Sequence, residues 1–422
     1  MTADEPSPSV PNLRFPEFQS RRGWLYTTLS AVMEEHGLKS NGASEVHSVS
    51  LAKGIVPQIE HMGRSFAASV TTHYGLVRPF DVVYTRSPLA VFKLGIVKQH
   101  KRFHNAIVSP LYGVFTPRNR HIGLIIETYF DSPARSIRFL DPLAQKGAKN
   151  TVQLSNGRFL SGALHLPEDE DEQQKIADCL GSLDDLIAAE GRKLEALRQH
   201  KQGLMQDLFP QPGETVPHLR FPEFRNAREW EDKKLDELSK RGTGHTPNKE
   251  MAEYYNGGIK WVSLADSKRL DKGLISETMI EISEKGIKHS SAVLHPAGSV
   301  ILSRDAGVGK SAIISCAMAV SQHFIAWTCV PAKLSNWFLY YQLQILKPLF
   351  ERYATGSTIK TIGLPFFNAM RIAVPGFAEQ QRIAACLSSL DEMLAAQSRK
   401  VEGFKTHKQG LLQQLFPSFE GQ

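Results

Sequence analysis

Apolar and polar positions follow two rhythms along this chain, and the longer rhythm occurs twice. Residues 172–210 and 379–417 carry apolar side chains at alternating steps of three and four. A stripe of this kind, kept over more than four heptads, is typical of a helix in a coiled-coil seam. At about 1.5 Å per residue, each helix would be roughly 50 Å long. The apolar positions are Ile176, Leu180, Leu183, Ile187, Leu194, Leu197, Leu204 and Leu208, then Ile383, Leu387, Leu390, Leu394, Val401, Phe404, Leu411 and Leu415.

These two stripes are copies of one sequence. Aligned without a gap at an offset of 207 residues, 24 of their 39 positions are identical. A shorter repeat lies upstream of each copy: residues 10–18 are VPNLRFPEF and residues 216–224 are VPHLRFPEF. A tryptophan follows each at the same distance, Trp24 and Trp230. We therefore predict two tandem halves, each a globular body followed by a long helix.

Polar residues interrupt the seam at the same two places in each copy. They are Glu190 and Lys201 in the first copy and Gln397 and Lys408 in the second. If the helices pack antiparallel about a local twofold axis, we predict that Glu190 faces Lys408 and Lys201 faces Gln397. The alternative is that these polar residues are solvated edges of an imperfect stripe.

The same antiparallel register also fixes the apolar partners in the seam. It brings Leu194 against Phe404 and Leu197 against Val401. This register matches opposite seam positions and buries no like charges together, which is why we prefer it.

The shorter rhythm belongs to the two bodies, which share little sequence. In the first body, short β-branched or alternating segments separated by turn residues predict strands at 81–84, 106–109, 112–115 and 123–126. In the second body, residues 298–303 form a similar run. We predict an α/β protein of the α+β type, in which two mixed, strand-rich domains are separated by two long antiparallel helices in a pseudo-twofold repeat.

These patterns divide the chain into five segments. Residues 1–9 are predicted to be a disordered tail, 10–166 the first body, 167–210 the first spacer helix, 211–375 the second body with its polar linker, and 376–422 the second spacer helix. The start has no apolar core of a signal peptide, and no apolar run reaches about 18 residues. Four cysteines without paired spacing favour a reduced, cytoplasmic protein with no structural metal.

Positive charge is concentrated in the bodies. Of the net charge of +7, residues 1–166 contribute +8, 167–210 contribute −6 and 211–375 contribute +5. Two basic bodies separated by a neutral or acidic spacer favour two contacts with a polyanion such as nucleic acid. Ordinary solvated surface charge is the alternative, and on charge alone the two are even.

No catalytic motif is complete. Gly309, Lys310 and Ser311 match the end of a phosphate-binding P-loop, but the motif requires glycine where Arg304 stands. A glycine-rich turn between two strands, with Arg304 and Lys310 available to a phosphate, is the better interpretation. The chain has no HExxH, no GxSxG and no paired CxxC motif. We expect neither enzymatic activity nor a bound cofactor.

The repeated segments, with their EQQ…SLD…HKQG…LFP sequence behind two variable bodies, resemble the specificity subunits of type I restriction–modification systems. Segments of both bodies resemble target-recognition domains of that family; they are 242–247, 255–261, 301–310 and 356–358 in the second body, and 81–86 and 108–115 in the first. The loop at 242–247, GTGHTP, departs from the GGTP type.

This resemblance implies a function. Each body would recognise one half of a bipartite, asymmetric target in double-stranded DNA. The two helices would hold the halves at fixed spacing and dock two methyltransferase subunits, and restriction or translocase subunits would join them. S-adenosylmethionine and ATP would belong to those partners. The alternative from another class is a two-domain protein scaffold with no role on DNA.

We predict DNA contacts from basic and polar side chains in both bodies. They are Arg86, Lys98, Lys101 and Arg102 in the first body, Lys249, Lys260, Arg304, Lys310 and Lys360 in the second, and Ser263, Asp266, Gln322 and Ser357 as candidate base readers. Core packing or ordinary surface exposure is the alternative for each.

Overall fold

The computed structural model describes residues 8–40, 42, 44–67, 70–146, 152–356 and 359–417. The chain divides into two compact units, Met1–Glu190 with Lys400–Gln422 and Gly191–Arg399. Each unit therefore holds one body together with one part of each long helix. Ser9, in the tail predicted at 1–9, pairs with Trp24, so ordered backbone begins before residue 10; residues 1–7 lie outside the described part.

The first body contains short strands and five short helices among its described residues. Its strands are β1 (Leu25–Thr28), β2 (Met33–Glu35), β3 (His47–Ser50), β4 (Gly54–Pro57), β5 (Gly75–Val77), β6 (Val82–Tyr84), β7 (Val97–Gln99), β8 (Ala106–Val108), β9 (Gly113–Pro117), β10 (Gln145–Lys146), β11 (Val152–Gln153) and β12 (Ala163–Leu166). Its helices are α1 (Leu29–Val32), α2 (Gln58–Met62), α3 (Arg120–Phe130), α4 (Pro133–Leu140) and α5 (Asn156–Ser161). The long helix α6 (Glu170–Asp207) follows.

The second body has the same kind of composition. Its strands are β13 (Glu231–Lys234), β14 (Ser239–Thr243), β15 (Tyr255–Val262), β16 (Leu274–Ile275), β17 (Ile280–Ile282), β18 (Leu294–His295), β19 (Val300–Ser303), β20 (Ser311–Ile314), β21 (Met318–Val320), β22 (Phe324–Cys329) and β23 (Arg371–Val374). Its helices are α7 (Leu235–Leu238), α8 (Glu284–Lys288), α9 (Asn336–Ile345), α10 (Lys347–Tyr353) and α11 (Leu364–Asn368). The second long helix is α12 (Phe377–Leu415).

Despite their different sequences, both bodies build the same sheet. Its strand order is β2-β9-β6-β7 in the first body, and β14-β22-β19-β20 in the second, where β16 extends the edge. The registers correspond as well, since Val82 of β6 pairs with Phe115 and Val300 of β19 pairs with Trp327. Both central strands are fully buried. They lie between two apolar cores, which explains why every residue of these strands is apolar or a satisfied small polar group.

A smaller group of strands is also common to the two bodies. Strand β8 pairs antiparallel with β5, and β21 pairs antiparallel with β18. A parallel contact joins β8 to Val46, just before β3, and the corresponding parallel pair is β21 with β15. The hairpin partners β4 and β17 complete the correspondence. The two bodies are thus versions of one fold.

One predicted strand is wrong. Residues 123–126 belong to helix α3. The helix begins at Asn119, whose side-chain oxygen accepts a hydrogen bond from the backbone nitrogen of Ile122 at 2.9 Å. Ile122, Ile125 and Ile126 are buried in the core. Burial of one helix face outweighs the β-propensity of branched residues, because propensity is the weaker term.

The two sequence repeats meet at the start of each long helix. Arg14 of the short repeat forms two hydrogen bonds to Glu172 of α6, at 2.7 and 2.6 Å, and Trp24 Nε1 donates to the same carboxylate at 3.0 Å. In the other unit, Arg220 forms the same pair of bonds to Glu379 of α12, both at 2.7 Å. These buried bidentate pairs attach each body to the helix that follows it.

The far end of each long helix closes a body with an aromatic contact. Phe416, just after α12, packs edge-on against Trp24 with ring centroids 5.9 Å apart. Phe209, just after α6, packs against Trp230 at 5.8 Å. The repeated Leu-Phe-Pro sequence therefore ends each helix inside the core of a body.

The predicted register of the two helices is wrong by about one heptad. Glu190 accepts a hydrogen bond from Lys400 at 2.5 Å, eight positions before the predicted partner Lys408. Lys408 instead donates to Asp184 at 2.6 Å. The packing is antiparallel, as predicted. An apolar stripe that repeats every seven residues tolerates a slip of seven, so flanking charges select the register.

The second unit shows the same shift in the register of the two helices. Lys201 forms an ion pair with Asp391, six positions before the predicted partner Gln397. The predicted seam positions are nevertheless turned towards the other helix: Leu194, Gln397 and Val401 are buried, and Leu197 and Phe404 are half-buried.

None of the helices in the described ranges is long and apolar enough to cross a membrane.

Candidate nucleic-acid interface

Arg86 is exposed at the end of the central strand β6. Its guanidinium donates to Asn156 Oδ1, and Asn156 in turn donates to Glu35 at 2.5 Å. Arg102, half-buried in the turn after β7, lies 3.7 Å from the exposed Glu60 of α2. The side chain of Arg86 is thus exposed and that of Arg102 is 39% exposed, as a contact with phosphate requires.

The position of Lys98 does not fit its predicted contact with DNA. It lies in β7 with only 7% of its side chain exposed, and it pairs with Asp131 at 2.5 Å and Glu127 at 3.4 Å. Although burial alone lowers the pKa of Lys98, attraction to Glu127 and Asp131 raises it above its ordinary value. A buried cation neutralised by two carboxylates supports the core and is not available to DNA.

Lys101 has half of its side chain exposed, but carboxylates surround it. Its ammonium lies 3.3 Å from Glu127 and 3.9 Å from Asp184 of α6. The acidic residues of the helix therefore neutralise part of its charge. A contact between Lys101 and DNA stays a prediction.

In the second body, loops that are distant in sequence converge at one end of the sheet. Thr246, from the loop after β14, donates to Gln322, which precedes β22. Gln322 Nε2 lies 3.4 Å from the ring of His323, and His323 Nδ1 lies 2.8 Å from Asp305, in the turn after β19. This chain of contacts preorganises polar groups at the surface.

Arg304 lies beside this chain. Its backbone nitrogen donates to His323 O at 2.9 Å, and its carbonyl accepts from Ile362 N at 3.0 Å. Arg304 Nε and Asp305 Oδ1 are buried 3.6 Å apart, and neither forms a hydrogen bond within the described residues. The segment around the exposed Lys360 runs alongside through a bridge between Asp305 and Thr361. The structure therefore brings Arg304, Gln322 and Lys360 together.

Ser263 and Asp266 are corrections among the candidate base readers. Both are buried, at 7% and 0% exposed. They form a capping box at a short 3₁₀ helix: Ser263 N donates to Asp266 Oδ2 at 3.0 Å, and Arg269 pairs with Oδ1 at 2.9 Å. Their hydrogen bonds satisfy the backbone of that turn.

The other predicted contacts lie apart from the cluster around Gln322 or are engaged elsewhere. Lys260 pairs with Glu277 at 2.9 Å, and Lys310 donates to Ser267 Oγ at 2.9 Å. Lys249 is exposed in the loop before β15. Ser357 lies outside the described residues.

The turn that contains Gly309 and Lys310 joins two antiparallel strands, β19 and β20. This confirms the interpretation as a glycine-rich turn, because a phosphate-binding P-loop leads from a strand into a helix. Gly309 has φ of 84°, and a Cβ there would approach the Lys347 side chain to 2.9 Å. Glycine is thus required by backbone shape and packing.

The polar cluster consists of Thr246, Arg304, Asp305, Gln322 and His323. Three of these residues were not predicted from the sequence. Thr246, Asp305 and His323 have no motif of their own, and their contacts join segments up to 76 residues apart. The GTGHTP loop was the available signal for Thr246. Within the described residues, no group of three or more His, Cys, Asp or Glu side chains is arranged to hold a metal ion.

The fold and this cluster define a class: a tandem protein with two like, basic bodies that present polar loops. Comparisons with known proteins show which proteins this chain is similar to. Residues 227–402 match the family model described as the type I restriction modification DNA specificity domain. The crystal structure of a type I restriction–modification S subunit from M. genitalium covers 97% of this chain and 100% of its own, with a TM-score of 0.60 and 12% identity. That likeness establishes a shared fold.

Proteins of similar sequence are also specificity subunits. The MjaIX specificity subunit of Methanocaldococcus jannaschii is 25% identical over 194 residues, 46% of this chain and 45% of the relative. A type I restriction enzyme specificity subunit of Escherichia coli is 31% identical over 173 residues, 39% of this chain and 41% of the relative. The chain spans less than half the length of these two relatives. Its second body thus matches the model of the type I specificity domain, and parts of the chain are similar to specificity subunits of type I restriction enzymes.

Proposed function

We propose that this chain is the non-catalytic, DNA-recognising subunit of a type I restriction–modification complex. Each body, 10–166 and 211–375, would act as a target-recognition domain for one half of a bipartite, asymmetric site. The observation that carries the proposal is the shared fold of the two bodies, each with an arginine, Arg86 or Arg304, within two residues of the end of its central strand. Positive charge in both bodies supports contact with phosphates.

The long helices, within 167–210 and 376–422, would serve as spacers. They would set the distance between the half-sites and dock two methyltransferase subunits, through which restriction or translocase subunits would join. S-adenosylmethionine and ATP would be bound by those partners in the cytoplasm. This division of roles fits a chain whose described residues hold polar clusters suited to recognition.

Methylation sequencing of host DNA tests the proposal directly. We would compare cells with and without this chain while the methyltransferase genes remain intact. Because the chain would supply the sequence specificity, we expect a gapped, asymmetric methylation motif to disappear on deletion. The motif would also give both half-sites and the length of the gap.

Binding by the purified complex provides the second test. Fluorescence anisotropy with a duplex that carries the motif should show tighter binding than with a scrambled duplex, and the affinity should fall as salt rises. Lys360→Ala should weaken binding to both duplexes and reduce the salt slope by about one. Equal affinity for both duplexes, together with unchanged methylation in cells, would favour the protein scaffold.

A further inference from the structure

The strand registers of the two main sheets correspond, so residues of the first body can be aligned with residues of the second even though the two sequences are not similar. Strand β8 ends at Val108 and β21 ends at Val320, and the next strand, β9 or β22, runs back along the central strand. Gly113 pairs with Tyr84 in one body and Ile325 pairs with Leu302 in the other. Both intervals have the same length, so the turns after β8 and β21 superpose without a gap.

The same backbone hydrogen bond closes both turns. The nitrogen of Tyr112 donates to Ser109 O at 3.0 Å, and the nitrogen of Phe324 donates to Ser321 O at 3.0 Å. Each is a four-residue turn closed by the bond between its first and last residues. In this alignment Pro110 corresponds to Gln322 and Leu111 corresponds to His323.

The residues at these central positions differ completely in chemistry. The first body has Pro110 and Leu111, and Leu111 is 68% exposed. The second body has Gln322, which is exposed, and the half-buried His323. One turn therefore presents an apolar side chain, and the other presents an amide that can both donate and accept.

Each turn lies next to the arginine that follows the central strand. In the second body, Arg304 N donates to His323 O at 2.9 Å. In the first body, Arg86 comes two residues after Tyr84, which pairs with Gly113 immediately beyond the turn. A side chain in the turn is thus placed beside a cation that can hold the DNA backbone.

Contacts around Gln322 hold its amide in place. Thr246 donates to Gln322 Oε1, His323 lies 3.4 Å from Nε2, and Asp305 fixes His323 at 2.8 Å. The nearby buried atoms Arg304 Nε and Asp305 Oδ1 form no hydrogen bond within the described residues. Thr246, Asp305 and His323 therefore act as positioning residues for Gln322.

We propose that the turns 110–111 and 322–323 are the specificity-determining elements of the two bodies, and that they use opposite chemistry. Gln322 forms a pair of hydrogen bonds with the major-groove edge of an adenine, as a glutamine amide does with N6 and N7. Leu111 makes an apolar contact with the methyl group of a thymine. This inference rests on the proposed function, because it assigns the bases that each body recognises.

Enrichment of a random duplex pool by the complex of the full chain with its methyltransferase subunits tests the inference. The wild-type complex should enrich a bipartite motif with an adenine in one half-site and a thymine in the other. Gln322→Ala should reduce the preference for that adenine about tenfold and leave the other half-site unchanged. Leu111→Ala should reduce the thymine preference about fourfold and leave the first half-site unchanged.

Conservative variants distinguish base recognition from a structural role. Gln322→Glu should move the preference from adenine to cytosine, because a carboxylate accepts from cytosine N4. Leu111→Met should retain the thymine preference. Phe103→Ala removes another exposed apolar side chain, at the other end of strand β7, and should leave the whole motif unchanged. Thermal unfolding of each variant would confirm that it is folded.

Two failures are distinguishable. If the wild-type complex enriches a motif that Gln322→Ala and Leu111→Ala both retain at every position, the inference is overturned and the proposed function stands. If the wild-type complex enriches no sequence, the proposed function fails and the inference fails with it. A loss of preference in both half-sites on either single substitution would also overturn the inference.

Discussion

The two units solve the same packing problem with different chemistry. In each, a lysine of one long helix pairs with an aspartate of the other: Lys408 with Asp184 in the first unit and Lys201 with Asp391 in the second. The repeat therefore conserves this cross-helix pair. The bodies have diverged, and each surrounds the pair with its own side chains.

In the first unit, the body surrounds the pair with charge. Lys408 lies 3.8 Å from Asp131, which is also bound by the buried Lys98. Burial raises the pKa of Asp131, against the attraction of Lys98. The junction is thus a network of partly buried ions in which each charge depends on the others.

In the second unit, the body surrounds the pair with an aromatic ring. Tyr341 donates to Asp391 Oδ2 at 2.8 Å, and the Lys201 ammonium lies 5.3 Å from the centre of the same ring. Burial and the nearby Asp391 both raise the pKa of Tyr341. The neutral Tyr341 side chain therefore contacts both Asp391 and Lys201. The repeated helix sequence fixes the lysine–aspartate pair, whereas each body supplies different side chains around it.

The largest expected effect is at the start of the helices, where the units are most alike. Glu172→Ala should destabilise the first unit by about 3–5 kcal/mol, because it leaves the buried Arg14 unpaired. Glu379→Ala should cost the second unit about 1 kcal/mol less, because Trp230 Nε1, unlike Trp24 Nε1, forms no hydrogen bond within the described residues. Hydrogen exchange measured by mass spectrometry would follow each unit separately.

Matched exposed carboxylates serve as controls for this first prediction. Glu17 pairs with Lys175 at 3.1 Å and Glu223 pairs with Arg382 at 3.1 Å, both near the surface. Alanine at either position should change stability by less than about 0.5 kcal/mol. Equal losses for exposed and buried carboxylates would contradict the role given to the buried pairs.

The next effect sharpens the contrast between the junctions. Lys98→Met should destabilise the first unit by about 3 kcal/mol, because it removes the buried cation shared by Asp131 and Glu127 and leaves them only the more exposed Lys408 and Lys101. The second unit should be unchanged. Adding Asp131→Asn should restore part of the loss. Urea unfolding of the full chain is the measurement, and a double variant less stable than Lys98→Met would argue against an interdependent network.

Tyr341→Phe is the corresponding test in the second unit. It removes one hydrogen bond to a carboxylate and should cost about 2 kcal/mol. The ring over Lys201 remains, so the cation–π contact is preserved. Hydrogen exchange should increase at α9 and α12 and stay unchanged in the first body. A loss below about 0.5 kcal/mol would show that solvent replaces the hydroxyl.

A smaller effect distinguishes the observed helix register from the predicted one. A double-mutant cycle on Lys408 and Asp184 should give a coupling of about 0.5–1 kcal/mol, because both side chains are partly exposed. The same cycle on Lys408 and Glu190 should give none. Coupling in the second cycle and not in the first would restore the original register.

The smallest effect is confined to acidic solution. Burial lowers the pKa of His47, His100 and His121 in the first unit and of His295 in the second. The pKa of each of these histidines is lower in the folded protein than in the unfolded chain. Their contribution to the free energy of unfolding is therefore present above about pH 6.5 and is lost as the pH falls through the pKa values of the folded protein. The first unit should lose more stability on acidification. His47→Gln with His100→Gln should reduce the acid-induced loss of stability in the first unit and leave the loss in the second unit unchanged.

The sequence alone determined the large features of this protein. The repeat of 172–210 at 379–417 established the tandem halves, and the heptad stripe established two long helices that pack antiparallel. Both features are local patterns that repeat, so they can be recognised without knowing what they contact. The resemblance to specificity subunits followed from the same repeat and was confirmed.

Only the tertiary structure showed that the two bodies have one fold. Val82 and Val300 occupy the same place in the same sheet although their surroundings differ in sequence. Strand order and register are set by pairing between distant segments, and many sequences satisfy the same buried positions. The misassigned strand at 123–126 has the same cause, because burial and a cap decided its conformation.

The helix register and the polar cluster were also decided by tertiary structure. A seven-residue stripe accepts a slip of one heptad, and the ion pair of Lys408 with Asp184 selects between registers. Gln322 and Arg304 could be proposed from sequence, but the contacts of Thr246 with Gln322 and of Asp305 with His323 could not, because they join segments that are distant in the chain. For Lys98, the sequence gives no sign that the buried Glu127 and the partly buried Asp131 surround the lysine.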